Sequence, residues 1–174
     1  IMKKFLTGIM VAVFVALVFV NYGSTEYSDN VIEKLKISTN EIPEGFMFGK
    51  VPDFAKRVLK DNPWLMDRDA IKFLTGRIYP GGDFNQVSKI HMTILADREH
   101  PFGDDIVCYI ILYNDAKTAK NEIMKINEYV GFNSDRSIAL SRDNMVVYFC
   151  VDDINHYHYI REFADAFQSR LESL

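Results

Sequence analysis

The stretch Ile106-Val-Cys-Tyr-Ile-Ile-Leu-Tyr113 limits what this chain can fold into more than any other. It is too short for an ordinary helix, and its β-branched and aromatic side chains suit a strand. Both of its alternating faces are apolar or aromatic, so the strand must sit inside a sheet and be covered on two sides. The rest of the chain has to supply neighbours on each edge and cover on each face.

Those neighbours are legible downstream of residue 87. Lys89–Ala96 alternates as a strand, and Asp97–Asp104, with Pro101 and Gly103, is a hairpin loop leading into it. Asn114 or Asp115 caps a helix in which Ala116, Ala119, Ile123, Ile126 and Val130 recur at helical spacing, and Gly131 is expected to close it. Arg136–Ser141 and Met145–Val151 form a second hairpin across Arg142-Asp-Asn144. A last helix from Asp152 or Asp153 carries Ile160, Phe163, Ala164, Phe167, Leu171 and Leu174 on one face. The order is ββαββα. A right-handed crossover between the second and third strands, with the fourth inserted antiparallel between them, gives the sheet order 1-2-4-3. The expected fold is therefore α+β: a four-stranded antiparallel sheet, ferredoxin-like but permuted, with both helices on one face. The two most apolar strands then lie at the centre. Such a fold assigns no function by itself.

Residues 46–174 are expected to form this single domain, with 52–76 as a helical N-terminal part and 87–174 as the ββαββα core. Gly45–Val51 reads as an edge strand or an extended approach. Pro52-Asp53 opens a short helix carrying Phe54, Ala55, Val58 and Leu59, which Asn62-Pro63 stops. A second helix, capped by Asp67, carries Ala70, Ile71 and Leu74 and ends near Gly76. Between them lies Trp64, the single tryptophan. Residues 24–45 are polar and mixed, and read as a tether with one weak helical turn near Val31–Leu35.

Residues 1–23 differ in kind. Lys3 and Lys4 precede an almost unbroken apolar run from Phe5 to Val20, with no acid before Glu26, which is the pattern of an export signal peptide. Ile1 precedes Met2, as expected of a start one codon upstream or of a fragment. Cleavage after Gly23 or Ser24 fits, and so does retention of residues 5–22 as a membrane anchor at the short end of the spanning range. No cysteine stands near for lipid attachment. In either case the domain is expected outside the cytoplasm: periplasmic, secreted or anchored to the outer face of the cytoplasmic membrane.

Without Lys3 and Lys4, the 20 Lys+Arg fall to 18 against 24 Asp+Glu, a net charge of −6. Such a domain lacks the basic footprint that nucleic acid demands. Of the two cysteines, Cys108 and Cys150, each lies within an apolar strand; the strand phasing puts them on opposite sides of the sheet, so no disulfide between them is expected.

The same phasing turns Ile106, Cys108, Ile110 and Leu112 toward the helices, with Val147, Phe149 and Val151. It turns Val107, Tyr109, Ile111 and Tyr113 away, with Val146, Tyr148 and Cys150, and assigns His91, Thr93 and Leu95 to that second face too. A two-layer fold would leave the second face bare. One expectation is that the two N-terminal helices seal it with Phe54, Val58, Leu59, Trp64, Phe73 and Leu74. The other is a partial cover, leaving a cleft for an apolar ligand, a peptide or a protein partner, with Trp64, Tyr109, Tyr113, Tyr148 and His91 as its ligand-binding residues.

Nothing points to a cofactor. Asp152-Asp-Ile-Asn-His-Tyr-His158 is the one stretch that resembles a metal site, with Asp152 and His156 at helical i, i+4 spacing as candidates. Two visible ligands fall short of the three or four a tight site needs, and aspartates at that position also cap a helix. His100 with Glu99, Asp104 and Asp105 could form an acid–base set, but a solvated turn explains them equally. Gly81-Gly82 has no Lys-Ser/Thr after it and reads as a turn. The expected function is binding or interaction, not catalysis. A small hydrolase or metal-dependent enzyme built on His91, His100 or His156 is the competing class. Pairing of two copies along the third strand is discouraged by Arg136, Ser137 and Arg142 on that edge.

Overall fold

The computed structural model describes residues 29–103 and 105–174. The expected export signal, and the tether up to residue 28, lie outside the described residues. Within them the chain is α+β, with a six-stranded antiparallel sheet and four helices packed on it. The elements are α1 (Asp29–Leu35), β1 (Phe46–Phe48), β2 (Trp64–Leu65), α2 (Arg68–Ile78), β3 (Val87–Asp97), β4 (Ile106–Tyr113), α3 (Ala116–Phe132), β5 (Ser137–Arg142), β6 (Met145–Val151) and α4 (Tyr157–Glu172).

The sheet order is β1-β3-β4-β6-β5, with β2 also paired to β3. Its four long strands follow the order 1-2-4-3 expected from the sequence. β4 and β6 pair from Ile106↔Val151 to Leu112↔Met145 and occupy the centre, where their double-sided apolar character requires them to be. The β5–β6 hairpin turns through Asp143, whose φ of 51° suits a tight turn between twisted strands. β1 and β2 are additions on the outer edge of β3. Asn62 holds them there: its side-chain amide donates to the Gly49 and Ile94 carbonyls at 2.8 and 2.7 Å, and its carbonyl oxygen accepts from the Ile94 N–H at 2.8 Å.

The expectation that both core helices share one face is corrected. Ile106, Cys108, Ile110 and Leu112 of β4 pack with Met145, Val147, Phe149 and Val151 of β6 against Ile160, Phe163, Phe167 and Leu171 of α4. Val107, Ile111 and Tyr113 pack with Val146 and Tyr148 against Ala119 and Ile126 of α3 and Ala70, Ile71 and Ile78 of α2. The two-layer, ferredoxin-like stacking is thus replaced by three layers. The physical reason lies in β4 and β6 themselves: each face needs a helix, and each fully buried aliphatic or phenyl side chain is worth roughly 1.5–3 kcal/mol.

Three further expectations change. Residues 29–45 are not a spacer, because Val31, Ile32, Leu35 and Ile37 are buried in the α4 layer. Arg170 of α4 secures that segment through an ion pair with Glu41 and a bond to the Leu35 carbonyl. The helix expected after Pro52 is a run of turns with Phe54 86% exposed; of the expected sealing residues, Phe73 is also 45% exposed. His91, Thr93 and Leu95 belong to the first face, since they stand opposite Ile110, Cys108 and Ile106, and directly paired residues share a face. A register shift between Val87 and Lys89 accompanies that pairing.

The helix ends follow their side chains. Asp67 accepts from the Ala70 N–H at 2.9 Å and Asp115 from the Thr118 N–H at 2.7 Å, each closing an N-terminus as expected. α2 runs beyond Gly76 to Ile78, whose burial outweighs a glycine's helix cost of about 1 kcal/mol, and α3 runs one residue past Gly131 to the exposed Phe132. No helix of the described residues is long and apolar enough to cross a membrane.

Candidate functional site

On the second face the cover is incomplete. The last turns of α2 and α3 border a cleft of about 330 Å³ that is lined by residues of β4, β5 and β6. Tyr109 of β4 and Tyr148 of β6 are paired across the two central strands, and their rings stack with centroids 6.1 Å apart at 12°. They line the cleft together with Ile78, Cys150 and Val151. Tyr129 and Asn133 enter from the end of α3, Ser137 from β5, and Arg77 from the last turn of α2. Arg136 and Asp152 complete the lining.

The lining is a mixture of aromatic surface and hydrogen-bond donors. Burial pushes the Tyr148 phenol well above its usual value, so the hydroxyl stays neutral across the physiological range. The Arg77 guanidinium lies over the Phe73 ring, 3.8 Å from its centroid. Arg136 Nε reaches the neighbouring Asp135 carboxylate at 3.5 Å, a loose surface contact. Cys150 is half-buried, whereas Cys108 lies on the opposite face and is fully buried; neither is in a disulfide. Burial raises the Cys108 thiol well above its normal pKa.

The residues expected from the sequence are only partly brought together. Tyr109 and Tyr148 share the cleft. Trp64 is buried on the same face but among Met66, Ala70 and Ile71, away from the cleft lining. Tyr113 is buried and donates its hydroxyl to that of Tyr79 at 3.1 Å; Tyr79 in turn donates to Glu122 at 2.7 Å. Glu122, only 3% exposed, also accepts from the Asp83 N–H and from Lys125 Nζ at 2.6 Å. That buried chain ties α3 to the turn after α2. It removes Tyr113 from any contact with a ligand in the cleft.

His91 lies on the other face, buried, with its Nδ1 unpartnered; Thr93 Oγ1 beside it is likewise without a partner. Desolvation, aided by the Lys36 charge and opposed by Glu33, lowers its pKa to about 4. The two weak metal candidates are separated. Asp152 lines the cleft, while His156 packs against the rings of Phe46 and Tyr159, with centroids at 5.1 and 5.9 Å. Asp153 caps the short turn before α4 by accepting from the Asn155 N–H at 2.9 Å. In the loop after β3, Asp105 accepts from the Asp97 N–H at 2.8 Å, which explains it as a turn residue. Among the described residues no group of three His, Cys, Asp or Glu side chains is placed to hold a metal ion.

Sequence reading missed Arg77, Tyr129, Asn133 and Arg136. A basic residue in a helix's last turn reads as an answer to the helix dipole, and Tyr129 sits next to apolar Val130 as an ordinary half-buried side chain. Only the convergence of two helix ends on one strand corner sets them apart. In comparisons with known proteins, no family model, no curated protein and no solved structure matches the chain significantly.

Proposed function

We propose that this chain is an exported or membrane-tethered, non-enzymatic binding domain, and that the cleft over Tyr109 and Tyr148 is where it holds its ligand or a side chain of its partner. One observation carries the reading: a cleft of about 330 Å³ opens beside the stacked tyrosine pair of the two central strands, with half-buried Tyr109 and buried Tyr148 in its lining next to the C-terminal ends of α2 and α3. A binding site of this kind needs a rigid aromatic surface with a few polar groups at its rim, and 330 Å³ is within the range of small-ligand clefts. The apolar run from Phe5 to Val20 supports placement outside the cytoplasm.

Cys150 supplies the test, since it lines the cleft while Cys108 is buried on the far face. The rate at which iodoacetamide alkylates Cys150 in the full chain is measured with rising N-phenyl-1-naphthylamine, a neutral aromatic probe. Saturable protection that Tyr109→Ala weakens at least fivefold is the expected result. Unchanged alkylation at every probe concentration would remove the cleft as a binding site.

A further inference from the structure

We propose that the segment carrying α1 is an acid-released strap: protonation of His91 beneath it undocks residues 29–45 while the central sheet stays folded. The device lies on the sheet face opposite the cleft and does not depend on what the cleft binds.

Its geometry is set by the order of the sheet. α4 lies mainly against β5 and β6, and β6 is two strands away from β3. The first face of β3 therefore takes its cover from the N-terminal segment, whose Val31, Ile32, Leu35 and Ile37 share a core with Leu95 and Ile106. His91 stands on that face in line with Thr93 and Leu95, between Leu65 of β2 and Ile110 of β4, and is only 5% exposed. The charges that reach its ring belong to the same segment: Glu33 and Lys36, which pair with each other at 2.6 Å. Leu65 and Ile110 bring no charge, and Ile160, Phe163, Phe167 and Leu171 of α4 bring none. Arg170 of α4 pairs with Glu41, and Lys89, two residues before His91 on β3, is engaged in a contact of its own.

Nδ1 of His91 and the neighbouring Thr93 Oγ1 are buried without partners, so the docked layer offers an imidazolium no acceptor. Lys36 adds repulsion, which Glu33 opposes. An exposed imidazole titrates near 6.5, whereas burial lowers this one to about 4. A state in which His91 is exposed therefore takes up the proton first. Docking is at full strength above about pH 6.5 and weakens progressively toward about pH 4.

The strap is the part that yields first. α1 has seven residues and little helical stability of its own. Its polar ties to α4 run through Arg170, to Glu41 and to the Leu35 carbonyl, whereas β4 and β6 are paired from Ile106↔Val151 to Leu112↔Met145. A segment held in this way opens at a lower free energy than the whole domain unfolds. Release bares Val31, Ile32, Leu35 and Ile37 together with Leu95, so an apolar face that is closed near neutrality is offered in mildly acid surroundings.

Amide hydrogen exchange in the full chain, corrected for the intrinsic effect of pH, tests this at about pH 7.5 and about pH 5.5, both above the usual carboxylate range. Protection of residues 33–37 should fall roughly tenfold between the two, the factor set by a proton site that moves from about 4 to 6.5 on opening. Residues 106–113 should remain at least tenfold better protected than residues 33–37 at the lower pH. The fall should vanish in His91→Leu and His91→Gln, with near-ultraviolet circular dichroism confirming that each is folded, and persist in Glu41→Gln. Unchanged protection in wild type would overturn the proposal, as would equal protection of the two segments, which would mean that they open only together. A fall that survives in the His91 variants and is lost in Glu41→Gln would also overturn it, because the sensor would then be the ion pair with Arg170.

Discussion

His91 shows how much of a residue's chemistry is decided by its layer. An imidazole on an exposed strand edge titrates near 6.5, whereas this one is buried, with Nδ1 unpartnered and its pKa lowered to about 4. The unfolded chain therefore takes up the proton first as pH falls. Stability is at full strength above about pH 6.5 and declines from there down to about pH 4, where the accumulated loss is about 3 kcal/mol. Urea unfolding of wild type and His91→Leu across this range checks it: the variant should lack this part of the acid slope, and parallel profiles would mean that His91 is hydrated. Tyr79 offers a second residue-scale prediction. Its hydroxyl donates to buried Glu122 and accepts from Tyr113, so Tyr79→Phe leaves a buried carboxylate short of a partner. A loss of roughly 1–3 kcal/mol in urea unfolding is expected. A change below about 0.5 kcal/mol would show that water or Lys125 replaces the bond.

Among the elements, α1 is the one whose weight was least visible. Its sequence, Asp29-Asn-Val-Ile-Glu-Lys-Leu35, is short and half charged or polar, and a helix of this length has little stability of its own. Its role comes from where it docks: Val31, Ile32 and Leu35, followed by Ile37, share a core with Leu95, Ile106 and Leu171. A chain that starts at Gly45 should therefore have a lower unfolding free energy in urea than one that starts at Asp29, by about 2–4 kcal/mol after the ordering cost of the segment is offset, and a correspondingly lower midpoint. Equal midpoints would show that α1 rests on the fold without stabilising it. The turns at 53–58 are the opposite case. Phe54 and Val58 recur at helical spacing, yet Phe54 finds no surface to cover, since α2 and α3 already occupy the face expected for it. Amphipathic spacing predicts a helix only where a partner surface is free.

At the scale of the whole molecule, the strands and their order were legible because their signals are local. β4 and β6 announce themselves by apolar residues on both faces, the hairpins by their turn residues, and α2 and α3 by Asp67 and Asp115. The same alternation puts Tyr109 and Tyr148 on one face of the sheet, so this part of the candidate cleft could be read in advance, whereas the register that pairs them directly could not. The helix layers could not. Both α3 and α4 have one apolar stripe, and a stripe is satisfied equally by either face of a sheet whose faces are equally apolar. The face of β3 was misassigned because alternation separates His91, Thr93 and Leu95 from Ile90, Met92 and Ile94 without saying which set meets which side of the sheet, and a shift of one residue in the pairing exchanges them. The sequence by itself therefore determined a double-sided central sheet, its four-strand order and the capped starts of two helices, all of which depend on residues close together in the chain. Tertiary structure alone decided which helix covers which face, where α1 docks, and that Arg77, Tyr129 and Arg136 line one cleft with the tyrosine pair. Those outcomes depend on competition between distant segments for the same apolar surface, and no local pattern records which of them wins.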